Sequence, residues 1–450
     1  MKLHDLFKKY DVPGPRYTSY PTVPYWSTTP TTEQWISSLR KALDSRAGAA
    51  IYIHIPFCKS LCTYCGCNTR IVRDPKVAIK YVDTVIKEWK IYLSLLEKDV
   101  QLSDLHIGGG TPTFLEPEDL ERLVEGILST VKISPGAEFS LEADPRTTTH
   151  GHLEKLSRLG FKRLSLGIQD FDTKVQEIVH RVQSEELVEK ATKTARDLGY
   201  NSINYDLIYG LPLQTTNSIE HTIMVLKRLR PDRIAFYGYA HVPWIKPGQR
   251  RFSDADVPAG ESKRALYEHG RKLLQSAGYK EIGLDHFALE TDQLWKAYIN
   301  GNLHRNFMGY VDRFVLPLVG LGVSAISDSW DAFAQNEKTL ETYQQRIDAG
   351  QLPILRGHLL TDEDRVLRKH ILNIMTKFIT NWDSESEYTP HLDEAEKKLA
   401  LFANDGLIRH QRKSCEVTET GRAFLRNICM AFDARLFRNA PETNLFSKTV

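Results

Sequence analysis

The chain has 450 residues, with 41% hydrophobic and 26% charged residues, a composition that excludes a largely disordered protein. Its formal net charge of +2 gives no electrostatic argument for nucleic-acid binding. The sequence shows neither the apolar segment of a secretory signal nor an apolar run of about 18 residues, so we expect a cytoplasmic protein with no membrane span.

The first 48 residues are predicted to form an N-terminal arm. Residues 13–21 contain three prolines, which remove hydrogen-bond donors and restrict the residues before them, so this segment cannot form a regular helix. It is expected to lie extended on another part of the protein. A helix is predicted over 32–44, because apolar residues recur there at helical spacing: Trp35, Ile36, Leu39 and Leu43.

From residue 49 onward, short β-rich runs alternate with amphipathic helical patterns. The strands are predicted at 50–55, 104–107, 138–142, 163–168, 203–208 and 233–237. Helices are predicted between them, from Asp74-Pro75 onward and then over 116–131, 152–159, 185–198 and 217–229. Six βα units in succession imply a parallel sheet with right-handed crossovers, either open or curled into a barrel.

The regular alternation weakens after about residue 250. A helix is predicted over 261–277 and a strand over 281–286, and the barrel domain with its accessory strands is expected to span 49–350. A mainly helical C-terminal domain is expected over 351–450, with Thr361 capping its first helix. Helices followed by a hairpin resemble a small winged helix. We favour a lid or packing role over nucleic-acid binding, because no basic stripe accompanies the pattern.

Polar or glycine-rich segments follow every one of the six predicted strands. In parallel βα barrels the reacting groups lie where strands end and the loops to the helices begin. We therefore expect the reacting groups to lie together on one face of the barrel. These strand-end segments are 54–57, 108–113, 142–145, 167–170, 209–212 and 239–241.

Four of the six cysteines fall within ten residues: Cys58, Cys62, Cys65 and Cys67. In a large chain without an export signal, such clustering favours metal binding or redox chemistry over disulfides. The x3-x2 spacing of the first three places three thiolates on one loop, which favours an iron–sulfur cluster with one iron left open for a small molecule. A structural zinc site and an unmetallated loop are the alternatives, although Cys65 and Cys67 are too close together to share one zinc ion comfortably.

This spacing, with Tyr64 before the third cysteine, resembles the radical S-adenosylmethionine (SAM) superfamily. The resemblance is narrowed to the coproporphyrinogen-oxidase-like branch by three segments, 51–58, 108–113 and 206–212. Further features resemble the oxygen-independent coproporphyrinogen III oxidases within it: the Pro-Arg-Tyr-Thr-Ser-Tyr-Pro-Thr segment at 15–22, Cys67, and segments 304–307 and 426–430. The related haem-chaperone-like group typically lacks this arm and the fourth cysteine. Two departures are Met308, where a polar residue is expected, and Tyr64, where some members carry phenylalanine.

The resemblance implies an α/β protein, with a partial (βα)6 radical-SAM barrel, an N-terminal arm and a mainly helical C-terminal domain. It implies an oxidoreductase of porphyrin and haem biosynthesis that uses a 4Fe–4S cluster and one or two molecules of SAM. The reaction converts two propionates of coproporphyrinogen III to vinyl groups, giving protoporphyrinogen IX. The implied enzyme is a monomer that takes electrons from a flavodoxin- or ferredoxin-like donor, passes electrons to an unidentified acceptor and binds no nucleic acid. A haem-binding chaperone and a radical SAM enzyme acting on another tetrapyrrole are the alternatives.

The resemblance also assigns the site residues. It makes Cys58, Cys62 and Cys65 the cluster ligands. The cluster-bound SAM would be lined by Tyr52, Gly109, Glu142 and Ile326. A second SAM position would be lined by Tyr64, Gly110, Thr111, Gln169, Arg181, Asp206 and Ala240.

The residue types themselves fit these roles. A carboxylate at 142 or 206 can accept hydrogen bonds from ribose hydroxyls or pair with an ammonium, and Arg181 can bind a carboxylate with two parallel hydrogen bonds unless it is simply a surface cation. Arg16 and Arg305 suit the propionates of a porphyrinogen. His54 is a candidate only, since a lone histidine at a strand end is more often packed than catalytic, and no catalytic residue is assigned.

Overall fold

The computed structural model describes residues 3–45, 48–439 and 446–449. Two helices, α1 (Leu3–Tyr10) and α2 (Thr32–Ser45), flank a segment of the arm that is extended apart from one 3₁₀ turn at Val23–Tyr25. The extended arm and the helix predicted over 32–44 are thereby confirmed, whereas α1 was not foreseen. The arm belongs to a hydrophobic cluster formed mainly by the C-terminal part of the chain, through Leu6, Tyr17 and Tyr20.

A mostly parallel sheet forms the centre of the chain, and all six predicted strands are present in it. They are β1 (Ala49–Ile55), β2 (Gln101–Gly109), β3 (Lys132–Ala143), β4 (Phe161–Gln169), β5 (Ser202–Tyr209) and β6 (Arg233–Gly238). Each strand pairs in parallel with the next one along the chain. Their carboxyl ends therefore lie at one edge, as the predicted barrel requires.

Helices connect these strands and bury their apolar faces against the sheet. They are α3 (Lys76–Leu96), α4 (Pro117–Leu128), α5 (His150–Arg158), α6 (Thr173–Ile178), α7 (Glu185–Asp197) and α8 (Thr216–Leu229). Trp89 and Tyr92 of α3 are fully buried in the core. Gly160 and Gly199 follow α5 and α7 with φ of 97° and 84°, a left-handed conformation that glycine adopts without strain.

Further strands follow along the chain, and apart from one hairpin they extend the sheet beyond the two ends of this parallel row. The strands are β7 (Lys280–Glu281), β8 (His286–Ala288), β9 (His304–Asn306), β10 (Gly309–Val311), β11 (Leu318–Leu321), β12 (Ile326–Asp328), β13 (Ala332–Asn336) and β14 (Ile354–Leu359). The helices of this part are α9 (Gly260–Ser276), α10 (Gln293–Ile299) and α11 (Leu340–Asp348).

The strand order is β14-β13-β12-β11-β1-β2-β3-β4-β5-β6-β8-β7, with β9 and β10 forming a separate hairpin. Strand β11 is parallel to β1, whereas β8 is antiparallel to β6. The two ends of the row do not pair with each other, so the barrel is partial and open.

The single strand predicted over 281–286 is wrong. The chain reverses there, with Ile282 donating its N–H to the carbonyl of His286 at 2.8 Å, and β7 and β8 run antiparallel on either side of the turn. The Tyr310 ring packs at Gly283, where a Cβ would lie 2.3 Å from the ring carbon Cζ. Glycine is therefore required at this turn, a close contact that no local pattern reveals.

The C-terminal part of the chain combines helices with a small antiparallel sheet of strand order β15-β17-β16. Thr361 caps its first helix, as predicted, by accepting the N–H of Asp364 at 3.1 Å. Among the described residues, no helix is both long enough and apolar enough to cross a membrane. The elements are α12 (Asp362–Lys377), β15 (Ile379–Asn381), α13 (His391–Asn404), β16 (Ile408–Gln411), β17 (Ser414–Val417), α14 (Leu425–Ala431) and α15 (Ala434–Arg438).

Candidate active site

The cysteine loop leaves the carboxyl end of β1 and is fixed at both its base and its tip. At the base, Phe57–Cys58 pairs in parallel with Arg70–Ile71 and so closes the loop. Near the tip, Thr63 donates its backbone N–H to the carbonyl of Val179 at 3.0 Å. These bonds hold three free thiols on one side of a cavity of about 320 Å³: Cys58, Cys62 and Cys65.

A glycine turn at the end of β2 forms the neighbouring wall. Gly109 has φ of 120°, and Gly110 donates its N–H to the carbonyl of Ile55 at 2.7 Å. A Cβ on Gly110 would lie 3.0 Å from the Cys58 sulfur and 2.9 Å from the carbonyl carbon of Pro56. Backbone can thus approach the cysteine loop closely only because glycine carries no side chain.

Two carboxylates, one next to the carboxyl end of β3 and one within β5, face the same cavity. Glu142 accepts the N–H of Gly109 at 3.0 Å and lies 3.3 Å from His106 Nε2. Burial raises the pKa of Glu142, but these two interactions, the one with His106 foremost, outweigh burial and hold the pKa below its usual value. Asp206 accepts hydrogen bonds from Ser165 at 2.9 Å and Asn204 at 2.8 Å.

Arg181 is a buried cation at the cavity wall. Its Nη1 donates to Asp144 at 3.1 Å and lies 3.6 Å from the Cys62 sulfur, and Nη2 donates to the carbonyl of Gly167. Arg146 also binds Asp144, at 2.7 Å. Burial raises the pKa of Asp144, but the two guanidinium groups, Arg181 foremost, more than offset that effect and lower it. Two positive charges therefore face the position of the second cysteine.

Most of the sequence-predicted site residues meet at this cavity. Besides the three cysteines, its wall contains Tyr64, Gly109, Gly110, Thr111, Glu142, Gln169, Arg181 and Asp206. Gln169 is held at φ of 70°, an uncommon conformation for a residue other than glycine. A second cavity of about 530 Å³ fills the barrel and shares part of this wall: Tyr64, Cys65, Cys67, Glu142, Ser165, Gln169 and Asp206. Ala240 lines that second cavity.

Two predicted SAM residues lie outside the walls of both cavities. Tyr52 is buried in β1, where its hydroxyl is 3.0 Å from His54 Nδ1 and its ring stacks on His106. Ile326 packs beside the cluster formed by Trp26, Phe333 and Leu360. His54 is also packed, since its Nε2 lies 3.0 Å from the carbonyl oxygen of Asn68, and burial lowers its pKa.

Several polar residues that support this site were not singled out from the sequence. They are His106, Asp144, Arg146, Ser165 and Asn204. Asp144 follows a predicted strand end directly, and its arginine neighbour two residues on could have marked it. His106, Ser165 and Asn204 lie on strand interiors, where only the alternation of side chains between the two faces of a strand indicates which way they point.

The residues present fit an iron–sulfur cluster with a carboxylate-bearing ligand beside it. The thiols come from one loop, and Arg181 Nε is buried without a hydrogen-bond partner among the described residues, so the wall offers an unused donor. Within the described part of the chain, no three His, Cys, Asp or Glu side chains converge as the ligands of a single ion do. A four-iron cluster does not require its thiolate ligands to converge on one point, because each thiolate binds a separate iron atom.

Comparison with known proteins defines the class first. Residues 52–226, which include the cysteine loop and the first five strand ends, match the Radical SAM superfamily. The site is therefore that of a radical SAM protein, whose members use a 4Fe–4S cluster and SAM.

Curated relatives then define the family. The chain is 39% identical to the oxygen-independent coproporphyrinogen III oxidase of Pseudomonas aeruginosa over 96% of this chain and 95% of that protein. It is 38% identical to the enzyme of the same name from Escherichia coli over 99% and 98%. The solved structure of the Escherichia coli coproporphyrinogen III oxidase, described as a radical SAM enzyme, superimposes with a TM-score of 0.89 over 94% of this chain and 98% of that chain. The chain belongs to the family of oxygen-independent coproporphyrinogen III oxidases.

Proposed function

We propose that this enzyme converts coproporphyrinogen III to protoporphyrinogen IX by oxidative decarboxylation of two propionates to vinyl groups. The observation that carries the proposal is the likeness to relatives of that name over nearly the whole length of both chains, arm and C-terminal part included. The cavity of about 530 Å³ beside the cysteine loop offers the room that an organic substrate requires.

We assign Cys58, Cys62 and Cys65 to the cluster, which leaves one iron for the amino and carboxylate groups of SAM. When bound, the cluster and SAM would supply an electron and the radical chemistry that removes a hydrogen atom from the propionate β-carbon. Loss of CO2 and of one electron then leaves the vinyl group, so each propionate needs an external electron acceptor. Cys67, by the family resemblance, is not a ligand.

The protein's own residues bind and orient the reactants. Arg181, at the second SAM position, has an unused Nε donor for the carboxylate of that molecule, and its other nitrogens are fixed by Asp144 and Gly167. Asp206 and Glu142 offer carboxylate oxygens to ribose hydroxyls or to an ammonium group. Fixed donors and acceptors of this kind position SAM at the carboxyl ends of the strands.

The electron supply completes the proposal. A flavodoxin- or ferredoxin-like donor would reduce the cluster. The six cysteines are free thiols, Cys415 and Cys429 included, which supports a reducing compartment such as the cytoplasm.

The test is anaerobic turnover. Reconstituted enzyme is incubated with coproporphyrinogen III, SAM and a reductant, and the porphyrin product and 5′-deoxyadenosine are measured by mass spectrometry. The proposal predicts loss of two CO2 and four hydrogen atoms, with two molecules of 5′-deoxyadenosine for each protoporphyrinogen IX, and no product without SAM. An enzyme that binds haem and cleaves SAM but leaves all four propionates in place would contradict it.

A further inference from the structure

A third cavity, of about 540 Å³, lies between the arm, helix α9 and the C-terminal part of the chain. Its wall shares no residue with the wall that contains the cysteines. Among the described residues it carries eight basic side chains and five carboxylates. The wall therefore has more basic side chains than carboxylates, and some of these cations lack a carboxylate partner on the described part of the wall.

Half of these cations are neutralised by ion pairs within the chain. The pairs are Arg264–Glu268, Arg271–Glu281 at 3.2 Å, Arg422–Glu419 at 3.2 Å and Lys448–Asp11 at 2.9 Å. The remaining four, Arg16, Lys263, Arg305 and Arg426, have no carboxylate within ion-pair distance in the part of the chain that the structure describes.

Arg426 has a structural explanation. Its Nε donates to the carbonyl of Pro15 at 3.0 Å, Nη1 donates to that of Lys448 at 2.8 Å, and Nη2 donates to Gly14. The guanidinium therefore ties the arm to the C-terminal segment. Backbone carbonyl groups accept most of the hydrogen bonds that Arg426 can donate. The other three cations have no such set of backbone partners within the described ranges.

Arg305 is the most unusual of the three. Only 5% of its surface is exposed, and its guanidinium lies 4.6 Å from the centre of the Tyr310 ring. Its Nε and Nη1 are buried without a hydrogen-bond partner among the described residues. Leaving donors of a buried charged group unsatisfied is costly, and native proteins generally avoid it unless a ligand supplies the acceptor.

Arg16 and Lys263 add to the same uncompensated charge. Burial, and then the nearby charges of Arg16 and Arg426, lower the pKa of Lys263 to about 8. The carboxylate of Asp285 faces Arg305 and Arg16, but its Oδ1 already lies 2.7 Å from His286 Nδ1. One partly engaged carboxylate cannot balance this set of cations, which we call the distal cation group: Arg16, Lys263 and Arg305.

The distal cation group is connected to the barrel interior. Arg16 donates to the carbonyl of Gly238, at the carboxyl end of β6, at 3.1 Å. Arg16, Gly238 and Tyr239 line both this cavity and the barrel cavity of about 530 Å³. The barrel cavity in turn shares a wall with the cysteine cavity, so the three cavities adjoin one another in series.

We propose that the distal cation group binds a carboxylate of the substrate, namely a propionate that is not reacting, while another propionate reaches toward the cysteine cavity. This inference rests on the proposed function and adds the anchor that orients the tetrapyrrole. The anchor remains useful after the first decarboxylation, because the intermediate still carries propionates that can occupy it. Arg305, Lys263 and Arg16 are thus specificity determinants rather than catalytic residues.

The test compares Arg305→Met and Lys263→Met with two controls in reconstituted holoenzyme. Arg305→Lys keeps a buried positive charge, and Lys272→Met makes the same chemical change as Lys263→Met at an exposed position of the same helix. The measurements are KM and kcat for coproporphyrinogen III, the Kd for SAM, and the share of monovinyl intermediate released. We expect KM to rise about tenfold or more in both Met variants, because each loses a charge-assisted hydrogen bond to carboxylate. In these variants more intermediate should escape, while the Kd for SAM remains as in wild type.

The inference is overturned if wild type converts coproporphyrinogen III and both Met variants retain its KM, or if Lys272→Met raises KM as much as Lys263→Met does. It is supported if Arg305→Lys recovers most of the substrate affinity that Arg305→Met loses. Failure of wild type itself to form the vinyl product would instead contradict the proposed function. Since Arg305 is buried and Arg305→Met can lower stability, Lys263→Met, at a partly exposed position, provides an independent readout.

Discussion

The pH dependence of SAM binding tests the role proposed for Asp206. Burial, and after it the neighbouring Glu142 carboxylate, raises the pKa of Asp206 to about 7, against the hydrogen bonds from Ser165 and Asn204. With that pKa, about one molecule in eleven carries an ionised Asp206 at pH 6, and about ten in eleven do at pH 8. If only the ionised carboxylate binds the second SAM molecule, the association constant of that molecule should rise about tenfold between pH 6 and pH 8.

The assay is equilibrium binding of SAM to anaerobic holoenzyme at pH 6, 7 and 8, without reductant or substrate. Asp206→Asn should bind SAM more weakly at pH 8 and should lose the tenfold rise. The amino group of SAM also titrates in this range, but it does so equally in both proteins, so their difference isolates Asp206. The same pH dependence in wild type and Asp206→Asn would refute the reasoning.

Three further predictions concern the walls of the site and the arm. The Gly110→Ala variant should lose most of the bound iron, because the added Cβ would lie 3.0 Å from the Cys58 sulfur. The Gly66→Ala variant should keep its iron, because a Cβ at that position would have no atom within 4 Å. Equal iron contents in the two variants would contradict this prediction. Asp312→Asn should lower the free energy of unfolding by about 3 kcal/mol in chemical denaturation, since it removes a carboxylate shared by the buried Arg233 and the partly buried Arg163; a change below about 0.5 kcal/mol would contradict that. Arg426→Met should release the arm and speed its cleavage in limited proteolysis, and an unchanged cleavage rate would show that other contacts suffice.

The parallel core was predictable because its signals are local. Each strand is a short β-rich run, and the helices between strands repeat apolar residues at helical spacing, as the buried Trp89 and Tyr92 of α3 illustrate. The turn inside 281–286 was missed because it depends on the Tyr310 ring, some 27 residues further along the chain than Gly283. The place of β11 beside β1 depends likewise on pairing between distant segments, which the sequence of either segment does not specify.

The site was predictable to the extent that its residues follow strand ends or recur in a recognisable motif. The cysteine loop and the glycine turn met both conditions, Asp206 lies in a recognisable motif within a strand, and the structure brings all of them to one cavity. Arg16 and Arg305 were expected to face propionates, but the partners of Arg181 and the place of Lys263 beside those two arginines could not be foreseen in the same way. A buried charge can be recognised as uncompensated only when the carboxylates around it are known. For Arg305, those neighbours are known only from the folded structure.

The central claim is that Cys58, Cys62 and Cys65, and not Cys67, hold the cluster. The direct test is iron and sulfide content, together with reductive SAM cleavage, in four anaerobically reconstituted single Cys→Ser variants. Each change at 58, 62 or 65 should abolish cluster assembly and 5′-deoxyadenosine formation, whereas Cys67→Ser should retain a full cluster. A variant at 58, 62 or 65 that assembles the cluster and cleaves SAM like wild type would contradict the account.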